Sequence, residues 1–525
     1  MLPGIFDGRS LPAPSKPRPQ PQKEEQLLLV FDSGQKMTCK DAEHHILVLG
    51  TTGCGKTPSV ILPAVIRFLE KGLSGLILDI KGNLTEKIKA LANVLGRESD
   101  ILELGTGPDA LPINLLSKMP ENEIHDFFET ITLKGMNTSH NMPFYLAGVR
   151  IADELAQMCK FLARNDNRLT PSVDLISLLV QRYSFCVALF LIFKRWATTD
   201  EEQDLIKSIE TNIFHPCHWD KTASSSRDRT TYEEQVEYKM GAIRNNLICF
   251  SQTPGVGRGF SMMDGQSLDL EGWIYDQKKI VILRFKPDSG AAGEDLSRHC
   301  LEAFYKAIYT RGLQLPEGQY TFLVADEIQD FVDFNPNNRF NDLAFVAKSR
   351  EFNNIFIAGT QSLSALVNRG GTPDNVESFI SNFNNKILFY TDDLWTQALV
   401  HRYEQVDLTW LKPAEAFCTR FDKASRRHEH GLEKLQNAHD LVQNCLGQCP
   451  TLTPKVKKDM DDTPLPENQL PTAEYLSKII GEINAKLNVE PVKDNSPGKE
   501  DTFIRIPPFM RKRNKYPMLP GMEED

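Results

Sequence analysis

The segment Gly50–Thr57 constrains the fold of this chain more than any other, because its sequence GTTGCGKT matches the pattern G-x-x-x-x-G-K-T. It follows the apolar run His45–Leu49, so a strand is expected to lead into the glycine-rich segment and a helix to follow it. In that arrangement the backbone N–H groups of the loop surround a polyphosphate, and a hydroxyl at its end can ligate Mg²⁺. We therefore expect the chain to bind ATP or a close relative.

Every position of this loop is a candidate for nucleotide binding: Gly50, Thr51, Thr52, Gly53, Cys54, Gly55, Lys56 and Thr57. Lys56 is expected to neutralise the β- and γ-phosphates, and the Thr57 hydroxyl to ligate the metal. The following helix is predicted to run from Lys56 to Lys71. Pro58 falls in its first turn, where a missing N–H has no intrahelical partner, and Pro63 predicts a kink.

Length, charge and cysteine content limit the remaining possibilities. At 525 residues the chain exceeds a single hydrophobic core, so two or three domains are expected. With a formal net charge of −10, any contact with DNA has to come from a local basic stripe or a pore lining. The ten cysteines lack zinc-finger spacing, and a thiol at Cys54 favours a reducing cytosol, because oxidation there would block the loop.

The most apolar stretch of the sequence is Tyr183–Phe193, with the sequence YSFCVALFLIF. A membrane-spanning helix needs about 20 apolar residues, and this run is shorter and flanked by charged residues. We predict a buried core helix here. No secretory signal is visible at the N-terminus, and a cytoplasmic protein is expected.

Strand and helix signals divide the chain into regions with different periodicity. Short apolar runs separated by helix-length segments predict a mostly parallel sheet, and one long stretch shows only helical spacing. The expected fold is therefore an α/β domain split in sequence by an all-α domain. The predicted regions are a flexible Pro-rich arm (1–26), a nucleotide-binding domain in two parts (27–114 and 254–430), an all-α domain (115–253) and a Pro- and charge-rich C-terminal extension (431–525) with one helix, Thr472–Leu487. The predicted strands are Leu27–Phe31, Ile46–Leu49, Gly75–Ile80, Lys278–Phe285, Tyr320–Ala325, Asn354–Ala358 and Lys386–Tyr390, with a helix at Leu296–Arg311.

Two acidic residues, Asp326 and Glu327, follow the predicted strand at Tyr320–Ala325. A carboxylate at the C-terminal end of a strand beside the phosphate-loop strand can hold Mg²⁺ or its water, so Asp326 is the candidate metal ligand. The adjacent Glu327 is the candidate base that polarises an attacking water. The alternative is that the pair only opens the following loop.

Gln361 follows another apolar run, Ile355–Ala358. An amide at the end of a strand that neighbours the phosphate-loop strand can contact the γ-phosphate and report its presence. A glutamine after a strand is common, and the surrounding sequence TQSLSAL strengthens the assignment.

These motifs together resemble the TraG/TraD-type coupling ATPases of type IV secretion and conjugation, within the HerA/FtsK group of ring-forming P-loop motors. The resemblance covers roughly residues 40–420. The segments that carry it occur in the order of the family: His45–Thr57, Leu76–Leu84 (LILDIKGNL), Pro112–Leu116, Leu323–Glu327, Ala358–Leu366, Asn382–Asp392 and Asp407–Phe417.

The resemblance implies a RecA-like motor domain that carries an all-α domain, uses ATP and Mg²⁺, forms a homo-hexamer and moves DNA through its central channel. Asp79 and Lys81 occupy the family's D-P-K-G-E motif, which here is DIKGN. Asp79 either supports the nucleotide site or is a polar strand end. Ile80 and Asn83 depart from the motif, and neither is assigned a role.

Arg350 is the candidate arginine finger, because ring motors of this kind often insert an arginine at the γ-phosphate of a neighbouring subunit. A guanidinium there stabilises charge that spreads over the equatorial oxygens. Arg350 is otherwise a solvated residue at a helix end, and Arg339 and Arg369 compete for the role.

Many coupling ATPases carry transmembrane helices ahead of the motor domain, where this sequence has only the Pro-rich arm. We expect a soluble coupling protein that recruits and translocates DNA, with a relaxase or other nucleoprotein substrate and a type IV secretion channel or inner-membrane anchor subunit as partners. The alternative is a cytosolic HerA/FtsK-like DNA translocase for DNA processing, packaging or defence with a partner protein. A third possibility is a nucleotide switch without turnover, and the presence of Glu327 weighs against it.

Overall fold

The chain folds into two compact units in the computed structural model. The structure describes residues 26–107, 109–133, 142–214, 239–241, 243–248, 260, 265–285, 290–336, 338, 340–422, 426–452 and 472–487. The first unit takes the described residues within Met1–Pro112 and Leu268–Thr463. The second takes those within Ile113–Gln252, Phe260–Ser267 and Pro464–Asp525. The predicted arm lies outside the described residues except for Gln26.

The strands and helices alternate through the first unit, and the second is largely helical. The strands are β1 (Leu27–Val30), β2 (Lys36–Thr38), β3 (Ile46–Leu49), β4 (Ser74–Asp79), β5 (Ile101–Gly105), β6 (Ile113–Asn114), β7 (Gln266–Ser267), β8 (Ile280–Arg284), β9 (Thr321–Asp326), β10 (Asn354–Thr360), β11 (Asn385–Leu388), β12 (Glu415–Asp422) and β13 (Arg427–Lys434). The helices are α1 (Cys39–Ala42), α2 (Leu62–Glu70), α3 (Leu84–Val94), α4 (Glu121–Leu133), α5 (Met142–Ala163), α6 (Val173–Gln181), α7 (Tyr183–Trp196), α8 (Asp200–Asn212), α9 (Gly290–Arg311), α10 (Asp342–Lys348), α11 (Leu363–Asn368), α12 (Pro373–Ser381), α13 (Leu394–Glu404), α14 (Ala438–Leu446) and α15 (Thr472–Lys486).

A nine-stranded sheet in the order β13-β12-β11-β3-β10-β9-β4-β8-β5 forms the centre of the first unit. The strands from β11 to β5 in that order run parallel, and β12 and β13 add an antiparallel edge. Every residue of β3, β4 and β10 is buried, as expected for parallel strands that are covered on both faces. The predicted α/β fold with a mostly parallel sheet is confirmed.

The first predicted strand lies outside this sheet. Leu27–Val30 pairs antiparallel with Lys36–Thr38 in a separate two-stranded sheet. The connection between them is too short for the crossover that parallel strands need, so this pair can only form a hairpin. The prediction that the run at residue 27 belongs with the parallel strands was therefore wrong.

The helix after the glycine-rich loop begins with an irregular turn. Thr57–Ile61 is a π-helical turn, and α2 continues from Leu62. Pro58 lies in the first turn as predicted, and Pro63 lies where the π-helical turn gives way to α-helix. Proline has no N–H, so Pro63 cannot donate the backbone hydrogen bond that a π-helical turn or an α-helix would otherwise form at this position.

The second unit contains α4 to α8 and α15, together with the short parallel pair of β6 and β7. The apolar stretch predicted to be a core helix forms α7, in which only Leu191 among its described large apolar side chains is exposed. Within the described residues no single helix has both the length and the apolar composition to span a membrane. Helix α6 and the segment Ser184–Trp196 have that length and apolar composition only when they are taken together, and the angle between them is 110°.

The C-terminal region contains more structure than one helix. Besides α15, which confirms the predicted helix at residue 472, the described residues include α14. Its buried residues Ala438, Leu441 and Val442 belong to the same apolar core as α2. The remainder of the predicted extension, residues 453–471 and 488–525, lies outside the described residues.

A buried histidine at the start of β3 makes the stability of the first unit depend on pH. His45 Nδ1 accepts from the Phe356 N–H at 3.3 Å, so the proton is on Nε2, which lies 2.9 Å from Ser349 Oγ. Burial, with a smaller effect from the charge of Arg350, lowers the pKa of His45 to about 3. The unfolded chain therefore binds a proton between about pH 6.5 and pH 3 that the folded chain excludes, and stability falls as the pH falls through this range.

We expect the thermal unfolding midpoint of the wild-type protein to fall on acidification, and to fall less in His45→Asn. Asparagine tolerates the left-handed backbone of this residue (φ 61°) and does not titrate. His401→Asn, at an exposed position, is the matched control and should keep the wild-type pH dependence. Equal pH dependence in His45→Asn and the wild type would contradict the assignment.

Candidate functional site

The parallel sheet brings the predicted site residues to one edge. The glycine-rich loop follows β3, Gln361 follows β10, and Asp326 ends β9. These three strands are consecutive neighbours and parallel, so their carboxyl ends meet. The strand of Asp326 was predicted to lie beside the phosphate-loop strand, but β10 lies between them. Gln361 therefore follows the central of the three strands.

The loop after β3 has a compact shape that depends on glycine. A Cβ on Gly50 would lie 2.6 Å from Phe389 Cβ and 2.7 Å from Cys54 Sγ, and Gly55 has φ +111°. Lys56 is only 6% exposed, and its ammonium donates to the carbonyl oxygens of Gly50 and Thr51, the latter at 3.2 Å. The positive charge of Lys56 is thus held inside the loop, where a polyphosphate is expected to bind.

The next residue, Thr57, contacts the end of β9. Its Oγ1 donates to Asp326 Oδ2 at 2.9 Å. Burial raises the pKa of Asp326, and the hydrogen bond from Thr57 partly opposes this. A hydroxyl and a carboxylate side by side are hard oxygen ligands of the kind that Mg²⁺ prefers, so the residues present fit this ion.

Glu327 has an unusual backbone and a full set of side-chain partners. Its φ of 76° and ψ of 55° place its backbone in the left-handed region, which residues other than Gly, Asn and Asp rarely adopt outside functional sites. Its Oε1 accepts from the Lys81 ammonium, and its Oε2 accepts from Gln329 Nε2 at 2.6 Å and Gln361 Nε2 at 2.9 Å. Burial alone would raise the pKa of Glu327, but these hydrogen bonds outweigh it and lower the pKa.

Two of these partners were not among the candidate site residues. The sequence analysis places Lys81 only within the DIKGN motif, and it predicts no role for Gln329. The available signal for Lys81 was its position just after a strand whose end lies at the same edge. Gln329 follows Glu327 by two residues, and nothing in its sequence context distinguishes it from a loop residue.

Asp79, at the end of β4, is engaged within its own loop. Its Oδ2 accepts from both the N–H and the hydroxyl of Thr85, each at 2.7 Å, and the residue is 3% exposed. This contact fixes the segment between β4 and α3. A direct role for Asp79 in nucleotide binding remains a prediction.

The two candidate arginines that the structure describes lie at opposite ends of the strands of the sheet. Arg350 precedes β10, close to the buried His45, whereas the glycine-rich loop and Gln361 lie at the other ends of these strands. Seven residues of β10 separate the two edges by roughly 20 Å. Arg369 lies at the carboxyl edge and pairs with Glu294 at 3.1 Å and Asp330 at 3.6 Å. Arg339 lies outside the described residues.

The site combines a buried ammonium, a pair of hard oxygen ligands, and a carboxylate held by an ammonium and two amides. This set can bind phosphates, hold a metal, and accept a proton from water. A general base within reach of a phosphate site is the requirement for hydrolysis.

The sequence matches no family model and no curated protein. Solved structures do match. The plasmid coupling protein TrwB in complex with the non-hydrolysable GTP analogue GDPNP has a TM-score of 0.51 at 14% identity, over 79% of this chain and 90% of that one. TrwB in complex with the non-hydrolysable ATP analogue ADPNP also has a TM-score of 0.51 at 14% identity, over 79% and 91%. At this identity the likeness establishes a shared RecA-like P-loop fold.

Proposed function

We propose that this chain is an ATPase motor of the type IV secretion and conjugation class. The observation that carries the proposal is the position of Glu327, a buried carboxylate next to the Thr57–Asp326 pair. A protein that only binds nucleotide has no need of a base held by three donors in a strained backbone.

ATP and Mg²⁺ are the proposed cofactors. The eight residues from Gly50 to Thr57 would hold the phosphates, and Thr57 and Asp326 would hold the metal directly or through water. When bound, Mg²⁺ neutralises charge on the phosphate oxygens. TrwB, one of the solved structures that match this chain, was obtained with both a GTP and an ATP analogue. We therefore include GTP in the test of nucleotide preference.

The proposed reaction uses five protein residues. Glu327 accepts a proton from water, the water oxygen bonds to the γ-phosphorus, and the bond from phosphorus to the β–γ bridging oxygen breaks. Lys56 neutralises the negative charge on the phosphates. Gln361 already contacts Glu327, so it can link the γ-phosphate to the base. Arg350 is proposed to act on a neighbouring subunit, and Asp79 to support the loop after β4.

The proposed cellular role is that of a coupling protein. It would form a homo-hexamer, move DNA, and recruit a relaxase or other nucleoprotein to a type IV secretion channel or an inner-membrane anchor subunit from the cytoplasm. The shared fold with TrwB, a plasmid coupling protein, supports this role.

The test is an ATPase assay on purified protein with and without single- and double-stranded DNA, alongside a measurement of oligomer size. We expect turnover, stimulation by DNA and a species of hexamer mass. Lys56→Ala is the control: it should abolish turnover and weaken nucleotide binding, because the γ-phosphate loses the ammonium that faces it. A wild-type protein that binds ATP without hydrolysing it, in every condition, would contradict the proposal.

A further inference from the structure

The loop after β4 places a lysine against the candidate base. Lys81 follows Asp79 by two residues, and β4 pairs with β9 so that Asp79 lies opposite Asp326. This register brings the Lys81 ammonium to Oε1 of Glu327, although 246 residues separate the two in sequence. The contact is therefore a product of the sheet topology and not of local chain geometry.

The hydrogen bonds of Glu327 leave one direction for a water molecule. A carboxylate has about four lone-pair positions. Among the described residues, Gln329 and Gln361 use both positions on Oε2, and Lys81 uses one on Oε1. The remaining position is on Oε1, so the oxygen that Lys81 holds is the one that can accept a proton from water.

The burial of the two partners differs in a way that favours a positioning role. The Lys81 side chain is 43% exposed, whereas the Glu327 side chain is 5% exposed. An exposed ammonium normally stays solvated, because fixing a long side chain costs entropy. A buried carboxylate needs a compensating charge, and Lys81 is the cation that contacts it in the described part of the chain.

We propose that Lys81 is a positioning residue for Glu327, whose Oε1 it holds in the orientation that accepts the proton of the attacking water. This proposal rests on the ATPase function proposed above. It assigns a role to a residue that contacts the base and not the nucleotide. Removing Lys81 should therefore reduce the rate of the chemical step and leave nucleotide affinity unchanged.

The first test compares Lys81→Met with Lys81→Arg. We expect kcat of Lys81→Met to fall about 10- to 100-fold, because small misplacement of a catalytic group has effects of this size. KM for ATP, and the Kd for a fluorescent non-hydrolysable ATP analogue, should stay at the wild-type values. Lys81→Arg keeps a cation at this position and should recover most of the lost kcat.

A second test asks whether Lys81 acts through Glu327. In the Glu327→Gln background the base is already absent, so adding Lys81→Met should cause no further loss of kcat. Two residues with independent roles would instead give losses that multiply.

Lys89→Met is the matched control. Lys89 donates to Glu103, whose side chain is 2% exposed, so this variant also removes a lysine from a buried carboxylate. Its kcat should stay close to wild type even if its thermal midpoint falls.

Three results would overturn the proposal: wild-type or raised kcat in Lys81→Met, a loss confined to nucleotide affinity, or multiplying losses in the double variant. An inactive wild-type protein would overturn the proposed ATPase function instead.

Discussion

Replacing Glu327 by Gln is expected to leave a protein that binds ATP and hydrolyses it about 10²- to 10⁴-fold more slowly, the usual range for losing a general base. The substitution keeps the size of the side chain and spares Thr57 and Asp326, so the phosphate and metal positions stay intact. It removes the carboxylate that accepts the proton. Single-turnover measurements with radiolabelled ATP separate the chemical step from binding and product release.

The control for this experiment is Asp330→Asn. Asp330 is a half-buried carboxylate three residues after Glu327, and it pairs with Arg369 at 3.6 Å. Losing it changes the charge near the site without removing the proposed base, so hydrolysis should stay close to normal. If Glu327→Gln hydrolysed ATP at the wild-type rate, or if Asp330→Asn showed the larger loss, the base would have been wrongly assigned.

The sequence predicts which residues share the edge of the sheet, because each follows an apolar run long enough for one strand. His45–Leu49, Tyr320–Ala325 and Asn354–Ala358 all end within two residues of an observed strand end. Parallel strands place their carboxyl ends together, so the loop, Asp326 and Gln361 could be placed at one edge without knowing the strand order.

The strand order could not be predicted, because it depends on pairings between distant parts of the chain. β10 pairs with β3 on one side and with β9 on the other, although about 300 residues separate β10 from β3. No local pattern records these choices. The same reason explains why the Lys81–Glu327 contact was missed, since β4 and β9 are brought together by the sheet alone.

Local patterns predicted less where an element is short. The strand at residue 27 was predicted, but its three-residue partner β2 and the nine-residue α14, which lies between charged and Pro-rich sequence, were not. Such segments are stabilised by what they pack against, as α14 is by the core it shares with α2, and less by their own periodicity.

The second large loss of ATP hydrolysis is expected when Arg350 is replaced, because of its position relative to the sheet. It lies at the amino edge of the sheet, roughly 20 Å from the phosphate loop of its own chain by the length of β10. An arginine there cannot contact its own γ-phosphate, so a catalytic role requires the nucleotide of another subunit. This is the arrangement expected of a ring in which each site is completed by its neighbour.

Arg350→Ala should then bind nucleotide almost normally and lose hydrolysis by about 10³- to 10⁵-fold, as is typical when an arginine finger is removed. Because Arg350 also lies near the buried His45, the thermal unfolding midpoint of the Arg350→Ala protein should be measured as well. Arg369→Ala is the matched control, since Arg369 is engaged by Glu294 and Asp330 at the other edge. Normal activity in Arg350→Ala would move the finger role to Arg339 or Arg369.

Mixed rings distinguish action on a neighbour from action within one chain. An Arg350→Ala subunit keeps Lys56, and a Lys56→Ala subunit keeps Arg350, so a site with both groups forms wherever the two meet in the right order. If Arg350 acts on the neighbouring site, mixing the two inactive proteins should restore part of the turnover. If it acted within one chain, no subunit would hold both groups and mixing would restore nothing.

Strict coordination around the ring would also make such mixtures inactive. A second experiment is therefore needed, in which either variant is mixed into wild-type rings in increasing proportion. A linear fall in rate there excludes strict coordination, and mixed rings that then stay inactive despite proven co-assembly would contradict the assignment to the neighbouring site.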